Sequence, residues 1–337
     1  MDNTLRSAAR RAWVEKAGRD FGLDPATETS ASSDASFRSY WRYSGENATY
    51  VVMDAPAPYE DVRPFLKVTA LMRAAGCKVA DVYAKDEDQG FLLLEDLGKK
   101  TYLDVLDKQN ASYYYLGAIE SLVKWQLSSK PGVLGLYGRE KLLGELELFP
   151  QWYVAKHRGF TLSGVQRETL DRTFEKIVTA NLSVPNVYVH RDFMPRNLMP
   201  AQGAQPAILD YQDALYGPVT YDIASLMRDA FISWDEPFVI DMTIRYWEKA
   251  RAEGLPVSPD FGHFWREVEW MGLQRHLKVL GIFARINYRD GKPKYLADTP
   301  RFVSYVRQTC QRYDELHGLL YLLDEIEGTQ PKFGYTY

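Results

Sequence analysis

The spacing of the apolar residues changes near residue 97, and this change constrains the fold more than any other feature of the chain. Residues 37–43 alternate with the period of two that is typical of a half-buried strand. From Thr101 onward, the apolar residues recur with helical spacing instead. The longest helices are predicted at residues 113–127, 164–182, 236–252 and 260–286. We therefore predict an α+β fold with a boundary near residue 97.

The segment before this boundary is predicted to be a small β-sheet lobe, residues 1–97, that contains one helix. Its predicted elements are strands at 37–43, 49–53, 79–84 and 91–94 and a helix between Pro58 and Gly76. Leu5–Ala17 also has the pattern of an amphipathic helix. Residues 98–337 are predicted to form a large, mainly α-helical lobe with two short β-like runs, at 187–189 and 207–209. This is the bilobal, protein-kinase-like plan.

Composition excludes several classes of function. The net charge of −4 and the lack of a long basic run argue against a nucleic-acid binder. The two cysteines, Cys77 and Cys310, make no metal pattern and no disulfide framework, and we expect them to be buried thiols. With no apolar run of 18 residues and no signal-peptide stretch, we expect a cytoplasmic monomer without membrane contact.

The segment from His190 to Asn197 fits the pattern H-R-D-x-x-x-x-N, which is the kinase catalytic loop. In this pattern Asp192 accepts the proton of the attacking hydroxyl, or holds that hydroxyl in line with the γ-phosphate. Asn197 offers a neutral oxygen to Mg²⁺, and His190 braces the loop. Asp210, after the apolar run Ile208-Leu209, supplies a second oxygen ligand that suits octahedral Mg²⁺.

The acceptor is predicted to be a small molecule, because the chain leaves no room for a peptide-docking segment after Asp210. Gly217 and Pro218 break the chain soon afterwards, and a helix is predicted to begin near Val219. Asp222 lies early in that helix, where its carboxylate is expected to cap backbone N–H groups or to brace the catalytic loop.

The catalytic loop, Ile208–Tyr211 and the G-P-x-x-x-D pattern of Gly217–Asp222 resemble the aminoglycoside phosphotransferase and choline kinase superfamily. The match is closer to one branch, the bacterial N-acetylmuramate/N-acetylglucosamine anomeric kinases of peptidoglycan recycling. The segments that carry it are Ser33–Arg38, Val52–Pro56, Phe91–Gly98, the catalytic loop and Gly272–His276. The resemblance implies that ATP phosphorylates the anomeric hydroxyl of an amino sugar, which gives a sugar 1-phosphate.

The nucleotide contacts depart from the protein-kinase pattern, because the chain has neither a standard Gly-rich loop nor a strand Lys at residues 50–54. Arg38, Arg42 or Lys67 is a candidate to replace that Lys. Small residues and backbone N–H groups near Ser33 are expected to cradle phosphate, with a plain polar hairpin as the alternative. The residues predicted to bind nucleotide are Ser33, Asp34, Ala35, Ser36, Phe37, Arg38, Glu95, Asp96 and Leu97.

The acceptor pocket is predicted in the helical lobe, where residues 263–301 carry more basic than acidic side chains. A basic pocket suits the lactyl carboxylate of N-acetylmuramate and disfavours a polycationic aminoglycoside. A solvated helix face is the alternative for these charges. The predicted substrate contacts are Arg196, Gln212, Trp234, Arg275, His276 and Lys278. Four aromatic residues are candidates to stack on a sugar ring, with a position in the core as the alternative: Trp234, Trp265, Trp270 and Tyr288.

Two other functions remain open at this level. One is a kinase of the same fold that acts on an aminoglycoside, choline or homoserine-like acceptor. The other is a nucleotide-binding pseudokinase that serves as an interaction module, for which the missing strand Lys is the main argument. The motifs also leave open whether a sugar is phosphorylated at C1 or at C6.

Overall fold

The alternating residues near the N-terminus form a five-stranded antiparallel sheet in the protein's structure, a computed structural model that describes residues 3–33, 37–201 and 203–329. The strands are β1 (Asp24–Ser33), β2 (Ser39–Ser44), β3 (Thr49–Asp54), β4 (Val82–Asp86) and β5 (Phe91–Glu95). They lie side by side in the order β1-β2-β3-β5-β4. The sequence predicts every strand except β1, whose run of Thr and Ser lacks an apolar alternation.

Two helices accompany this sheet before residue 97, α1 (Asn3–Ala17) and α2 (Arg63–Ala74), where the predicted lobe has one. The additional helix is the amphipathic segment. Trp13 and Val14 of α1 pack with Tyr43, Phe91 and neighbouring apolar residues of the sheet in one buried cluster.

Buried ion pairs attach α1 to the sheet. Arg6 Nε donates to Asp54 Oδ1 over 2.7 Å, and Arg10 Nη1 donates to Asp54 Oδ2 over 2.8 Å. Arg10 also pairs with Glu28 of β1, and both Arg10 and Asp54 are only 2% exposed. A buried charge that loses its partner costs several kcal/mol, typically about 3–5. These pairs therefore fix the position of α1 on the sheet.

The chain divides into two units at positions other than residue 97. The first unit comprises Met1–Ser128 and Pro195–Ala214, and the second comprises Ser129–Met194 and Leu215–Tyr337. The first unit therefore includes α3 (Tyr102–Val105) and α4 (Ala111–Leu127) as well as the sheet. The assignment of nucleotide binding to residues 1–97 and of catalysis to residues 98–337 stays a prediction.

Most of the second unit is helical. Its helices are α5 (Arg139–Leu146), a π-helical segment (Phe149–His157), α6 (Gly164–Leu182), α7 (Tyr221–Met227), α8 (Glu236–Ala252), α9 (Phe261–Asp290), α10 (Thr299–Arg312) and α11 (His317–Glu327). The long helix α9 contacts most of the others and is buried along most of its length.

Capping residues explain why the long helices agree closely with their predicted ranges. Ser163 and Gln166 form a reciprocal capping box at the start of α6. Asp260 accepts the His263 N–H at the start of α9, and Gly291 ends that helix with φ +67°. The start of α7 lies two residues after its predicted position near Val219, whereas α3, α5, α10 and α11 were not predicted.

Four short strands form two antiparallel pairs, where the sequence predicts only two short runs. They are β6 (Asn186–Val189), β7 (Leu198–Met199), β8 (Ala207–Ile208) and β9 (Leu215–Pro218). β6 pairs with β9 in the second unit, and β7 pairs with β8 in the first. The sequence does not predict β7 or β9: β7 is only Leu198-Met199, directly after the catalytic loop, and β9 contains Gly217 and Pro218, which were interpreted as chain breakers.

The cysteines and the apolar character of the helices can also be compared with the sequence predictions. Cys77 and Cys310 are buried free thiols, as predicted. Within the described ranges, none of the helices has the length and apolar character needed to cross a membrane.

A glycine lets α4 approach the turn that joins β7 to β8. A Cβ at Gly117 would lie 1.6 Å from the carbonyl oxygen of Ala204, a distance that no real side chain can occupy. The same carbonyl accepts a hydrogen bond of 3.1 Å from the Tyr102 hydroxyl. The turn is therefore held against α4 by a contact that requires glycine.

We expect Gly117→Ala to lower the free energy of unfolding by about 1–3 kcal/mol, because the added methyl group overpacks this contact. The loss should occur even though alanine is favoured over glycine in a helix by about 1 kcal/mol. Gly144→Ala in α5 is the matched control, since a Cβ there meets nothing within 4 Å, and it should stabilise slightly. Urea unfolding of both variants tests the contact, and equal effects would contradict it.

Candidate active site

The catalytic loop begins where β6 ends and is held by a buried carboxylate. The backbone N–H groups of His190 and Arg191 donate to Asp222 of α7 over 2.7 and 3.0 Å. The Asp192 N–H donates to Nδ1 of His190 over 3.2 Å, so this nitrogen carries no proton. The bracing roles predicted for His190 and Asp222 are therefore confirmed.

The environment of Asp222 is unusual for an acid. Burial raises the pKa of Asp222 to about 7, while the two backbone N–H donors limit the rise because they stabilise the ionised form. Asp192 adds to the rise, since its negative charge disfavours a second one nearby.

A buried network of charges holds Arg191 in a backbone conformation that non-glycine residues rarely adopt. The φ of Arg191 is +80°. Its guanidinium donates to Glu145 over 2.7 Å, and the same carboxylate oxygen lies 3.0 Å from Nζ of Lys278. Tyr137 also donates to Glu145, and Lys278 donates to the Tyr221 hydroxyl over 3.1 Å. Such backbone strain costs of order 1–3 kcal/mol and persists only where the surroundings enforce it.

The charge of Asp192 contributes to raising the pKa of two cations in this network, Lys278 and Arg191. Burial alone would lower the pKa of Lys278, but Tyr221, Glu145 and Asp192 together raise it above its ordinary value. Lys278 is therefore charged, although it is 8% exposed. Asp192 itself is half-buried. Its carboxylate thus lies at the edge of a buried region that contains fixed positive charge.

The predicted metal ligands lie at neighbouring positions beside the β7–β8 pair in the first unit. Asn197 directly precedes β7, and its carbonyl oxygen accepts the Leu209 N–H over 2.8 Å. Asp210 follows with a φ of +61°, which is again rare for a residue with a side chain. Its Oδ1 accepts a 2.9 Å hydrogen bond from Gln212 Nε2.

Tyr211, the residue after Asp210, packs against α2. Its ring stacks on Phe65 at 4.9 Å between centroids, and its hydroxyl lies 2.9 Å from that of Thr69. Tyr211 and Thr69 are both buried. The backbone beside Asp210 is therefore fixed by core packing.

The donor chemistry of this segment fits Mg²⁺ when a nucleotide is present. An amide oxygen of Asn197 and a carboxylate of Asp210 are hard ligands, and triphosphate oxygens and water complete an octahedral shell in such sites. Among residues 3–33, 37–201 and 203–329, no group of three or more His, Cys, Asp and Glu side chains is placed to hold a metal ion. The described residues therefore offer the partial ligand set of a nucleotide-dependent site, and the metal roles stay predictions.

The loop predicted to hold phosphate is described only at its two ends. Ser33 ends β1, and the predicted residues Asp34, Ala35 and Ser36 lie outside the described residues. At the other end, Glu60 accepts the Phe37 N–H over 3.2 Å and pairs with Nε of Arg38 at 3.1 Å.

Of the three candidate phosphate cations, Arg42 is held by the Glu95–Leu97 segment, which is predicted to bind nucleotide. Its guanidinium forms a two-pronged contact with Asp96, at 2.6 and 2.9 Å, and also donates to the Gly98 carbonyl. Lys78 likewise pairs with Glu95 at 2.6 Å. Both ion pairs brace the Glu95–Leu97 segment. Lys67 is exposed on α2, whereas Arg38 is half-buried.

Three predicted substrate contacts lie on the buried face of α9. Arg275 donates to the Arg228 carbonyl over 3.4 Å and to Sδ of Met194 over 3.6 Å. His276 lies between Phe302 and Tyr305, and burial together with the charges of Arg275 and Arg228 lowers its pKa well below the ordinary value. Lys278 belongs to the Glu145 network.

The remaining predicted contacts are more accessible. Arg196 and Gln212 are half-buried in the first unit, and Trp234 is half-buried in the second. Of the aromatic residues predicted as candidates to stack on a sugar, Trp270 is buried in the core and Tyr288 is exposed. The Tyr288 hydroxyl lies 3.3 Å from Nδ1 of His157.

A cavity of about 440 Å³ lies beside Trp234 in the second unit. Its wall contains two arginines, Arg228 and Arg301, and Tyr305. In the sequence, Arg301 is one of many basic residues between 263 and 301, and Arg228 is not among the predicted substrate contacts. No motif marks these side chains, because they come from segments more than 70 residues apart.

Asp222→Asn should lower the free energy of unfolding by about 1–3 kcal/mol, because the amide NH₂ group opposes one of the two backbone N–H donors. Asp241→Asn is the control, since Asp241 is half exposed on α8 and pairs with Arg245 in the next turn. Urea unfolding of both variants measures the difference. A variant as stable as the control would contradict the bracing role.

Urea unfolding of the wild type and of Asp222→Asn at several pH values tests the pKa of Asp222. Because this pKa lies above the ordinary value of 3.8, protonation contributes stability that is full below about pH 4 and is lost as the pH rises through about 7. The wild-type protein should therefore lose stability relative to Asp222→Asn across that range. A difference that stays constant between pH 4 and pH 8 would show that the pKa is not raised.

Comparisons with known proteins agree with this geometry. The family described as "Phosphotransferase enzyme family" matches residues 27–257. An N-acetylmuramate/N-acetylglucosamine kinase of Pseudomonas aeruginosa is 50% identical over 301 residues, which cover 89% of each chain. A protein of the same name from Neisseria meningitidis is 47% identical and covers 95% of each chain.

Solved structures show the same fold. The choline kinase LicA from Streptococcus pneumoniae superimposes with a TM-score of 0.63 at 13% identity, over 89% of this chain and 99% of that one. The predicted resemblance and the protein-kinase-like fold are thus confirmed. The chain is a phosphotransferase, and it belongs to the phosphotransferase enzyme family.

Proposed function

We propose that the protein is an ATP- and Mg²⁺-dependent kinase that phosphorylates the anomeric hydroxyl of N-acetylmuramate and N-acetylglucosamine. The observation that carries the proposal is the catalytic loop, in which Asp222 fixes the backbone next to a half-buried Asp192. The choice of sugar rests on relatives that are 46–50% identical and carry that name. Such an activity belongs to the recycling of cell-wall sugars.

The reaction needs one proton acceptor and an oriented nucleophile. Asp192 accepts the proton of the anomeric hydroxyl while that oxygen bonds to the γ-phosphorus of ATP. The bond between the γ-phosphorus and the bridging oxygen breaks, and ADP leaves with the electron pair. An anomeric hydroxyl is more acidic than an ordinary alcohol, so a carboxylate is a sufficient base. The loop braced by Asp222 keeps Asp192 in place, which contributes through orientation.

Asn197 and Asp210 are the residues that hold Mg²⁺ in this proposal. When bound, the ion neutralises phosphate charge. Gln212 keeps one Asp210 oxygen oriented through its 2.9 Å hydrogen bond. Packing of Tyr211 against Phe65 and Thr69 holds the backbone at this point.

Arg38 is the phosphate-binding cation in the proposal, in place of the missing strand Lys. Its pairing with Glu60 supports this role, because protein kinases orient the corresponding Lys with a Glu. Glu60 also accepts the Phe37 N–H, so one carboxylate orients both the cation and the end of the phosphate loop. The backbone of Glu95–Leu97, which the Arg42–Asp96 contact braces, is proposed to hold adenine.

Other acceptors fit less well. The cavity beside Trp234 suits an anionic acceptor better than a cation, because its acids, Asp235 and Glu236, already accept hydrogen bonds from Phe238 and Arg312, whereas Arg301 has an unused N–H. A pseudokinase would have no use for a proton acceptor held on a strained, braced loop. Phosphorylation at C1 rather than at C6 is part of the proposal.

Asp192→Asn should reduce kcat by about 10²–10⁴-fold, which is the usual contribution of a positioned base. The affinity for nucleotide should stay near that of the wild type, since the proposed nucleotide contacts are other residues. Sugar-dependent ADP release measures the first quantity, and titration with a fluorescent ATP analogue measures the second. Near-normal turnover in this variant would overturn the assignment of Asp192.

Arg38→Ala should lower kcat/KM for ATP by about 10–100-fold, which corresponds to the loss of one charged hydrogen bond. Arg63→Ala is the matched control, because Arg63 begins α2 in the same unit but is 74% exposed and pairs with Asp61. Initial rates at varied MgATP compare the two. Equal values for both variants would exclude Arg38 as the phosphate-binding cation.

A further inference from the structure

The cavity beside Trp234 has two cations that the proposed chemistry does not use. Its volume is about 440 Å³, and it lies entirely in the second unit. The side chains that line it are Arg228, Ser233, Trp234, Asp235, Glu236, Arg301, Ser304, Tyr305 and Gln308. An aromatic ring beside several polar groups is the typical composition of a small-molecule site.

Arg301 has hydrogen-bonding capacity that the protein leaves unused. Its Nη1 is buried and makes no hydrogen bond to any residue in the described part of the chain. Its Nη2 lies 3.6 Å from Asp298, which is one turn away on the neighbouring segment and beyond hydrogen-bonding distance. A buried guanidinium N–H without an acceptor is costly, and a bound anion would remove that cost.

Arg228 is also weakly paired. Its nearest carboxylate oxygen, on Glu236, is 4.0 Å away, and its guanidinium lies over the ring of Tyr305 at 5.4 Å. Glu236 is held instead by a close contact with Arg312. The other acid in the wall, Asp235, accepts the Phe238 N–H at the start of α8. Both acids of the cavity thus have hydrogen-bond partners other than its two arginines, whereas Arg301 Nη1 has an unused N–H.

A short series of contacts connects the cavity to the catalytic loop. Met194, two residues after Asp192, accepts a 3.6 Å contact from Arg275 Nη2. The other end of the same guanidinium donates to the backbone carbonyl of Arg228 over 3.4 Å. Arg275 is 2% exposed, so this connection is part of the core. The cavity is thus fixed relative to the loop that carries Asp192.

We infer that this cavity binds a carboxylate of the acceptor sugar, with Arg301 as its main ligand and Arg228 as a supporting positive charge. The inference rests on the proposed function, because the two proposed acceptors differ at just this group. N-acetylmuramate carries a lactyl carboxylate on O3, where N-acetylglucosamine has a hydroxyl. Arg301 then determines the preference between the two sugars, and the ring of Trp234 is available to one sugar face.

The test is the ratio of kcat/KM for N-acetylmuramate to that for N-acetylglucosamine. We expect Arg301→Gln to lower this ratio by about 10–100-fold, as expected for one charge-assisted hydrogen bond. Arg301→Lys keeps the charge without the two-pronged geometry and should lower the ratio by a smaller factor. Arg245→Gln is the control, since Arg245 is half exposed on α8 and pairs with Asp241, and it should leave the ratio unchanged. An unchanged ratio in Arg301→Gln would overturn the inference.

A binding measurement separates failure of this inference from failure of the proposed function. Isothermal titration of wild type and Arg301→Gln with each sugar requires no turnover. If the wild type phosphorylates neither sugar but binds N-acetylmuramate in a manner that depends on Arg301, the proposed function fails and the carboxylate site stands. If both proteins bind the two sugars equally, or the wild type binds neither, the carboxylate site is overturned whatever the activity.

Discussion

The buried carboxylate of Asp222 accepts hydrogen bonds from the backbone N–H groups of His190 and Arg191, and the position of the neighbouring Asp192 depends on this contact. The contact places an acid in the core, where burial raises its pKa to about 7. In return it fixes two consecutive peptide groups at the point where β6 passes into the catalytic loop. Arg191 could not keep its positive φ without such restraint, and its bond to Glu145 adds a second one. These contacts fix the backbone on which Asp192, the proposed base, lies.

Charge in the second unit follows a related arrangement. α9 buries Arg275 and Lys278 on one face, and each is held by a polar partner. Lys278 and Arg191 share Glu145, so the network has more positive than negative charge until Asp192 is counted. Arg275 connects the same core to the cavity of Arg228 and Arg301, where the positive charge lacks a strong partner.

Sequence alone predicted the parts of the protein that local rules determine. The pattern from His190 to Asn197 identified the loop, and caps such as Asp260 and Gly291 explain why α9 begins and ends close to its predicted positions. The free, buried cysteines also agreed. β1 was missed because Thr and Ser carry no apolar alternation, and its pairing with β2 shows only in three dimensions.

Other features of the site depend on tertiary contacts that no local rule encodes. Periodicity placed Arg275 and His276 on a helix but could not show that both face the core. The positive φ of Asp210 and the presence of Arg301 and Arg228 in the wall of one cavity likewise depend on distant parts of the chain.

Phosphorylation of the anomeric hydroxyl with Asp192 as the base is tested most directly by ³¹P NMR of the product formed from MgATP and N-acetylmuramate. We expect a new sugar phosphate whose phosphorus couples to the anomeric proton, and we expect Asp192→Asn to give no such signal. A phosphorus signal that couples to the protons on C6 instead, or no sugar phosphate from folded, nucleotide-binding protein, would show that the proposed reaction is wrong.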